Sequence, residues 1–259
     1  MSSFELKNLW VSDPWADLLK NAGLLEIESL GDRKFDWFEE PNRRRGGWSG
    51  VSRLSLNPDA SEAEQQIVFL KIQQNHYYVS WRNLFLKKLS YKREFYAIRE
   101  LSPITESLPK VVLFTEWKQN GEDYCLIITE ALDGWQSLED FLLEEPGHME
   151  IQKVLIQIAN SIRTINQARW AHFGLFQKHI LIRPKEVNSY EIKLIDFEKA
   201  RKTLTRNQSI IEDVSRFLRH SKNLSEEFKI YFLKQYFQTE QFTSAQKQLI
   251  RKMRGVPKI

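Results

Sequence analysis

A single cysteine in 259 residues excludes an internal disulfide, and with it a cysteine-built zinc site. That residue, Cys125, lies in the strand-like run C-L-I-I-T and reads as core. Three of the histidines, His76, His148 and His220, show no metal-ligand spacing. No run approaches the roughly 18 apolar residues that a membrane-spanning helix needs. The opening M-S-S-F-E-L-K-N-L-W has neither a basic nor an apolar signal region, so the chain is expected in the cytoplasm. Internal repeats and low-complexity tracts are absent, which argues against solenoids and propellers. Glycine is scarce, 10 residues in all, yet Gly46, Gly47 and Gly50 fall within one short segment.

What is present is a globular composition, 42% hydrophobic and 28% charged. The length suits one domain of two lobes sharing a cleft. The net charge is +4 and the pI about 9.0, with basic clusters at Arg43-Arg44-Arg45, Lys87-Lys88 and Arg201-Lys202. This excess favours anionic partners: a nucleotide, an anionic glycan, or the anionic face of the inner membrane as a peripheral contact. Nucleic acid is not expected, because no segment reads as a groove-reading helix or an aromatic stacking platform.

Periodicity supplies the elements. K-F-D-W-F-E (34–39) is strand-like, V-S-R-L-S-L (51–56) alternates, and I-V-F-L-K-I (67–72) follows across a polar turn as its hairpin partner. The stretch 80–101 reads as one helix, with Leu84, Phe85, Leu89, Phe95, Ile98 and Leu101 at helical spacing. Strands at 110–117 and 124–130 meet across Asn120-Gly121, a strong hairpin signal. A-L-D-G-W (131–135) breaks the pattern, and Ser137 then caps a short helix with Asp140 three residues on. An amphipathic helix at 149–168 comes next, then I-L-I-R-P and E-I-K-L-I-D-F joined by E-V-N-S, then helix through 208–254. The first 30 residues mix helical patterning with turns and receive no functional assignment. The expected class is α+β: one domain with a β-rich N-lobe (1–131) holding one main helix, and a mostly helical C-lobe (132–259).

Chemistry concentrates in five places. G-G-W-S-G-V (46–51) offers Gly46, Gly47 and Gly50, where backbone amides could approach a phosphate without side chains in the way. Lys71 stands between apolar neighbours in V-F-L-K-I, and Glu94 in Y-K-R-E-F is a carboxylate able to hold it. T-E-A-L ends a strand, with the Glu130 carbonyl and Leu132 amide placed like an adenine-binding hinge. H-F-G-L-F-Q-K-H-I-L-I (172–182) and L-I-D-F-E-K-A-R (194–201) complete the set. An aspartate closing a buried strand, as Asp196 does in that reading, is costly unless it serves a metal or a network.

In this order and spacing the patterns resemble the protein-kinase bilobal fold, and within it the lipopolysaccharide kinase (InaA/WaaP) family over about residues 34–240. R-R-R-G-G-W-S-G-V-S-R-L, L-F-Q-K-H-I and D-V-S-R-F-L-R-H carry the likeness. The resemblance implies phosphoryl transfer from ATP, with Mg²⁺, to a sugar hydroxyl of the lipopolysaccharide core at the cytoplasmic side of the envelope. It sets Lys71, Asp196 and His172 at catalytic positions and makes Asp196 and His179 metal ligands. Gly46, Gly47, Gly50, Lys71, Glu94, Glu130, Leu132 and His179 would line the nucleotide. Asp213 resembles an aspartate that braces the catalytic loop. Three departures stand out. Gly174 replaces the catalytic aspartate, His179 an asparagine, and Glu198 the glycine of D-F-G. At a strand end residues two apart face one way, so Asp196 and Glu198 are expected to reach one metal. The missing base leaves open a pseudokinase, an envelope or stress regulator that binds nucleotide without turnover. Only about 16 residues separate Asp196 from Asp213, too few for a peptide-docking segment, so a glycan hydroxyl suits better than a protein.

Overall fold

Apolar residues two apart build the first half of the chain, and apolar residues three and four apart build the second. The computed structural model describes residues 3–44, 46–79, 87–185 and 189–257. The chain divides into two units, Met1–Arg99 with Pro109–Leu132, and Glu100–Leu108 with Asp133–Ile259.

The first unit is a six-stranded antiparallel sheet in the order β1-β7-β8-β4-β3-β2. Its strands are β1 (Phe4–Val11), β2 (Asn42–Arg44), β3 (Gly47–Ser55), β4 (Ile67–Gln74), β7 (Val111–Gln119) and β8 (Glu122–Glu130). β5 (Tyr77–Val79) and β6 (Lys87–Leu89) form a separate hairpin. Period-2 patterning puts Val68, Leu70 and Ile72 of β4 with Leu126 and Ile128 of β8 on one face. There they join Leu19, Leu24, Ile27 and Leu30 from α1 (Ala16–Asn21), α2 (Ile27–Leu30) and the turn between them. The other face carries Lys71 and Phe114, and α3 (Ser90–Leu101) lies on it, with Phe95 stacked on Phe114 at 4.0 Å between ring centres.

The β3–β4 and β7–β8 hairpins form as expected, the latter turning through Asn120 and Gly121, both at positive φ. Three expectations need correction. The helix over 80–101 begins only at Ser90: Lys87–Leu89 are extended and pair with Tyr77–Val79, and residues 80–86 lie outside the described residues. The 34–39 run is no strand but a single bridge, Trp37 to Ser52, because the chain bends at Phe38 and Glu39 before a ladder develops. And β1 occupies part of the segment read as helix and turn.

The glycine segment also differs from its reading as an open loop. Gly47 and Gly50 lie inside β3, and only Gly46, at φ 77°, is in a turn with open space around it. Arg45 lies outside the described residues. A Cβ on Gly47 would collide with the Gln74 carbonyl, and one on Gly50 would sit 2.5 Å from the Trp37 ring. Their smallness therefore serves packing. Gly50→Ala is expected to cost about 1–3 kcal/mol by overpacking against Trp37, read as a lower urea midpoint. Gly46→Asn, at a turn position tolerant of that residue, should change it little.

The second unit is mainly helical. Ser137 Oγ accepts from the Asp140 amide and starts α4 (Leu138–Leu143), as expected. α5 (His148–Gln167) buries Val154, Leu155, Ile158, Ala159, Ile162 and Ile165 along one stripe. After β10 (Trp170–Ala171) the chain forms an antiparallel pair, β11 (Ile180–Pro184) and β12 (Tyr190–Leu194), with β9 (Gln136–Ser137) beside β11. Residues 186–188 of the connecting E-V-N-S turn lie outside the described residues. β13 (Arg201–Lys202) pairs with β10. α6 (Arg206–His220), α7 (Glu226–Phe237) and α8 (Ser244–Ile250) follow, each opened by a Thr or Ser whose hydroxyl accepts from the third helical amide. Among the described residues no helix is long and apolar enough to cross a membrane.

Candidate functional site

The first unit holds a buried ion pair. Lys71 comes from β4 and Glu94 from the second turn of α3, and Lys71 Nζ donates to Glu94 Oε1 at 2.8 Å. The Glu94 side chain is 2% exposed and the Lys71 side chain 19%, so the carboxylate is sealed while the lysine stays partly accessible. Around them α3 is pinned to the same sheet face: Ser90 Oγ donates to Gln73 Oε1 at 2.8 Å, and Lys92 Nζ to Glu116 Oε2 at 2.6 Å. An ion pair taken this far out of water contributes little net stability by itself. At the end of β8, the Glu130 amide donates to the Lys110 carbonyl, and its carboxylate accepts from the Lys110 amide. Leu132 is the last residue of the first unit.

The second unit assembles His172, Gly174, His179, Asp196 and Asp213. Asp213 projects from α6 and is 1% exposed. Its carboxylate accepts from the backbone amides of His172 and Phe173 and from Asn166 Nδ2. That is the bracing the resemblance implied, and it holds Phe173 at a positive φ of 57°. Burial nonetheless dominates its titration and raises the carboxyl to about 6, against the pull of its donors.

His172 is buried too, and both of its ring nitrogens serve the backbone. Nε2 donates to the Ile195 carbonyl at 2.9 Å, and Nδ1 accepts from the Gly174 amide at 3.1 Å. Burial lowers its pKa to about 4. A neutral imidazole with both nitrogens engaged is a brace between two loops, so the catalytic placement that the family likeness implied for His172 gives way to a positioning one. Asp196 follows β12, which ends at Leu194, and takes a left-handed φ of 68° before a 3-10 turn over Phe197–Lys199. Glu198 lies in that turn, 3.8 Å from Lys199 Nζ. Asp196 and Glu198 thus do not share a strand face, which removes the argument that placed both on one metal.

His179 ends another 3-10 turn, Gln177–His179. Its Nδ1 lies 2.7 Å from the Gly174 carbonyl, and its Nε2 lies 3.4 Å from Asp196 Oδ2. The ring is flanked by His172, nearly parallel at 6.4 Å, and by Phe176, edge-on at 5.5 Å. Gly174 has no positive φ, and a Cβ built there would approach the His172 ring no closer than 3.4 Å. Among the described residues no group of three or more His, Cys, Asp and Glu is arranged as a metal site.

One residue was missed. Asn166, fully buried, donates to the Trp170 carbonyl and to Asp213 and accepts from the Tyr236 hydroxyl. It occupies the next position of the apolar stripe Ile158, Ile162. A polar residue on a core-facing stripe was the available signal.

The two buried ionisable groups give a pH prediction. His172, with its pKa lowered in the fold, contributes stability that is present above pH 6.5 and lost as pH falls towards 4. Asp213, raised in the fold, works the other way: its contribution is present below pH 3.8 and lost as pH rises through about 6. The two nearly cancel across the acid range. His172→Gln removes one of them, so its destabilisation at pH 7 should shrink by about 2–3 kcal/mol by pH 4, measured by urea unfolding at both values.

The lipopolysaccharide kinase (Kdo/WaaP) family model matches residues 28–252. Protein InaA of Escherichia coli (strain K12) is 28% identical over 182 residues, 69% of this chain and 80% of that protein. A solved structure described as WaaP in complex with acyl carrier protein matches with a TM-score of 0.59 at 18% identity, over 95% of this chain and 92% of that one. At that identity the likeness speaks for the fold, which is kinase-like.

Proposed function

Because the chain belongs to the lipopolysaccharide kinase (Kdo/WaaP) family, we propose that it binds ATP with a divalent metal and transfers the γ-phosphoryl group to a sugar hydroxyl of the lipopolysaccharide core. The sugar oxygen bonds to the γ-phosphorus as the bond to the β-phosphate oxygen breaks, and ADP leaves. The observation that carries this reading is the buried Lys71–Glu94 pair. Such a pair adds little net stability, but a lysine fixed by a buried carboxylate and still partly exposed is suited to phosphate oxygens.

Glu94 fixes Lys71, Lys71 meets the phosphates, and the Glu130 carbonyl and Leu132 amide take the adenine edge. Gly46 leaves a side-chain-free turn for the phosphates, while Gly47 and Gly50 act through packing. Asp196 and His179 would hold the metal, and a site of two protein donors suits an ion that arrives with phosphate oxygens. The metal would supply charge neutralisation on those oxygens. Asp213, Asn166 and His172 keep the 172–179 loop and the Asp196 turn in register. The acceptor and the net charge of +4 support a cytoplasmic protein in peripheral contact with the anionic inner membrane.

A second reading, a nucleotide-binding pseudokinase, is favoured by one residue, Gly174, which has no group to take the hydroxyl proton. The two separate in one assay. Transfer of labelled γ-phosphate from ATP to lipopolysaccharide core, abolished by Asp196→Ala, is the result expected of the kinase. Nucleotide binding with no transfer to any core glycan would establish the pseudokinase instead.

A further inference from the structure

The two edges of the six-stranded sheet are unlike. Natural sheets guard an edge by keeping it short or by charging it, since the outward backbone groups of an edge strand invite another strand. β2 follows that rule, with three residues that include the exposed Arg43 and Arg44. β1 departs from it: the strand runs for eight residues and leaves Leu6 and Leu9 exposed, at 45% and 43%. Lys7, the one cation of β1, reaches Asp123 at 2.8 Å. Among the described residues no strand pairs with the outer side of β1.

The register shift between Leu6 and Asn8 turns both leucines to one face. Leu6 pairs with Trp117 and Leu9 with Thr115, two positions apart on β7, so they share the face on which Trp117 joins Ile27 and Leu30 in the core. There Phe4, Leu6, Leu9, Leu25 and Ile27 line a groove of about 630 Å³. The charged residues lining it are all acidic: Glu26, Glu28 and Asp32, each exposed. Among the described residues no Lys, Arg or His lines it, in a chain whose net charge is +4.

We propose that β1 and this groove take an extended segment of a partner protein as an added strand, with apolar side chains towards Leu6 and Leu9 and Lys or Arg towards the carboxylates. An added strand gains main-chain hydrogen bonds along β1, and its alternate side chains enter the groove. The acidic lining selects the sign of the partner's charge. The β1 of a second copy brings Glu5 and a lysine already engaged by Asp123, which does not complement three carboxylates.

The probe is a blocked, fluorophore-labelled seven-residue peptide of threonine, with leucine third and fifth and lysine at both ends. Fluorescence anisotropy with the full chain is expected to show saturable binding, at least about tenfold weaker when glutamate replaces the terminal lysines. N-methylation of one alternate set of peptide amides should abolish binding while the other set is tolerated, because only one set faces β1. Leu6→Lys with Leu9→Lys should weaken binding by about tenfold or more, with circular dichroism unchanged since both side chains are exposed. Equal affinity for the lysine and glutamate peptides, equal tolerance of the two methylated sets, or no binding at millimolar peptide would each overturn the proposal. So would a dimer in sedimentation velocity that the leucine variant disperses, since the occupant would then be a second copy. The peptide arms read the wild type directly and do not depend on the variant folding.

Discussion

Lys71→Met should lower the stability of the protein by about 3–5 kcal/mol, because it removes the cation 2.8 Å from a Glu94 carboxylate whose side chain is 2% exposed. The methionine keeps the length and apolar stem of lysine, so the loss comes from the charge. Replacing both partners tests the cause: Lys71→Met with Glu94→Leu should recover most of the deficit, since an apolar pair of similar volume needs no compensation there. Urea unfolding of the wild type, the single and the double variant is the measurement. Equal destabilisation of the single and double variants would mean that packing rather than charge is at stake. The expectation also governs any binding experiment, because a Lys71 variant that fails to bind nucleotide must first be shown to be folded.

The second large effect concerns the missing base. Gly174→Asp should raise the rate of phosphoryl transfer by about 10²–10⁴-fold, the usual worth of a general base. The backbone permits it: Gly174 is not at positive φ, and the nearest atom to an added Cβ is His172 Nδ1 at 3.4 Å. The Gly174 carbonyl that receives His179 Nδ1 is untouched by the change. Rates of γ-phosphate release and of transfer to core glycan, measured at saturating nucleotide, decide the matter. A raised rate in the variant means that the native loop is poised but lacks a proton acceptor. An unchanged or lower rate with nucleotide affinity intact means that another group already takes the proton.

Much of the fold was legible because its signals are local. Val68, Leu70 and Ile72 alternate, Asn120-Gly121 specifies its turn, and Ser137 with Asp140 marks a helix start. β1 escaped notice for a local reason too. Its apolar residues Phe4 and Leu6 keep period two, but the ladder shifts register between Leu6 and Asn8, and Leu9 and Val11 resume out of phase. The 80–101 stretch misled because Leu89, the apolar residue of the β6 hairpin strand, continues the spacing of α3, and nothing local distinguishes it from a helical position.

The candidate site divides the same way. Lys71 was identifiable as a charge between apolar neighbours in V-F-L-K-I, whereas Glu94, beside Lys92 and Arg93, and Asp213, beside Glu212, were identifiable only through the family resemblance. The close packing at Gly47 and Gly50 was not legible, because a glycine needed for close packing and one needed for backbone freedom look identical. Gly50 meets a ring, Trp37, thirteen residues away, and Gly47 meets the backbone of Gln74. The role of His172 depends on the Ile195 carbonyl, and the left-handed turn at Asp196 depends on how β12 ends. Neither has a sequence signature.

Calorimetric titration of ATP with a divalent metal into the wild type, Lys71→Met and Asp196→Asn tests the central claim most directly, with circular dichroism showing each protein folded. The account predicts saturable binding by the wild type and at least about tenfold weaker binding by both variants, the loss of one charged contact being worth more than 1.4 kcal/mol. No binding by the folded wild type up to millimolar ATP, or equal affinity in all three proteins, would contradict it.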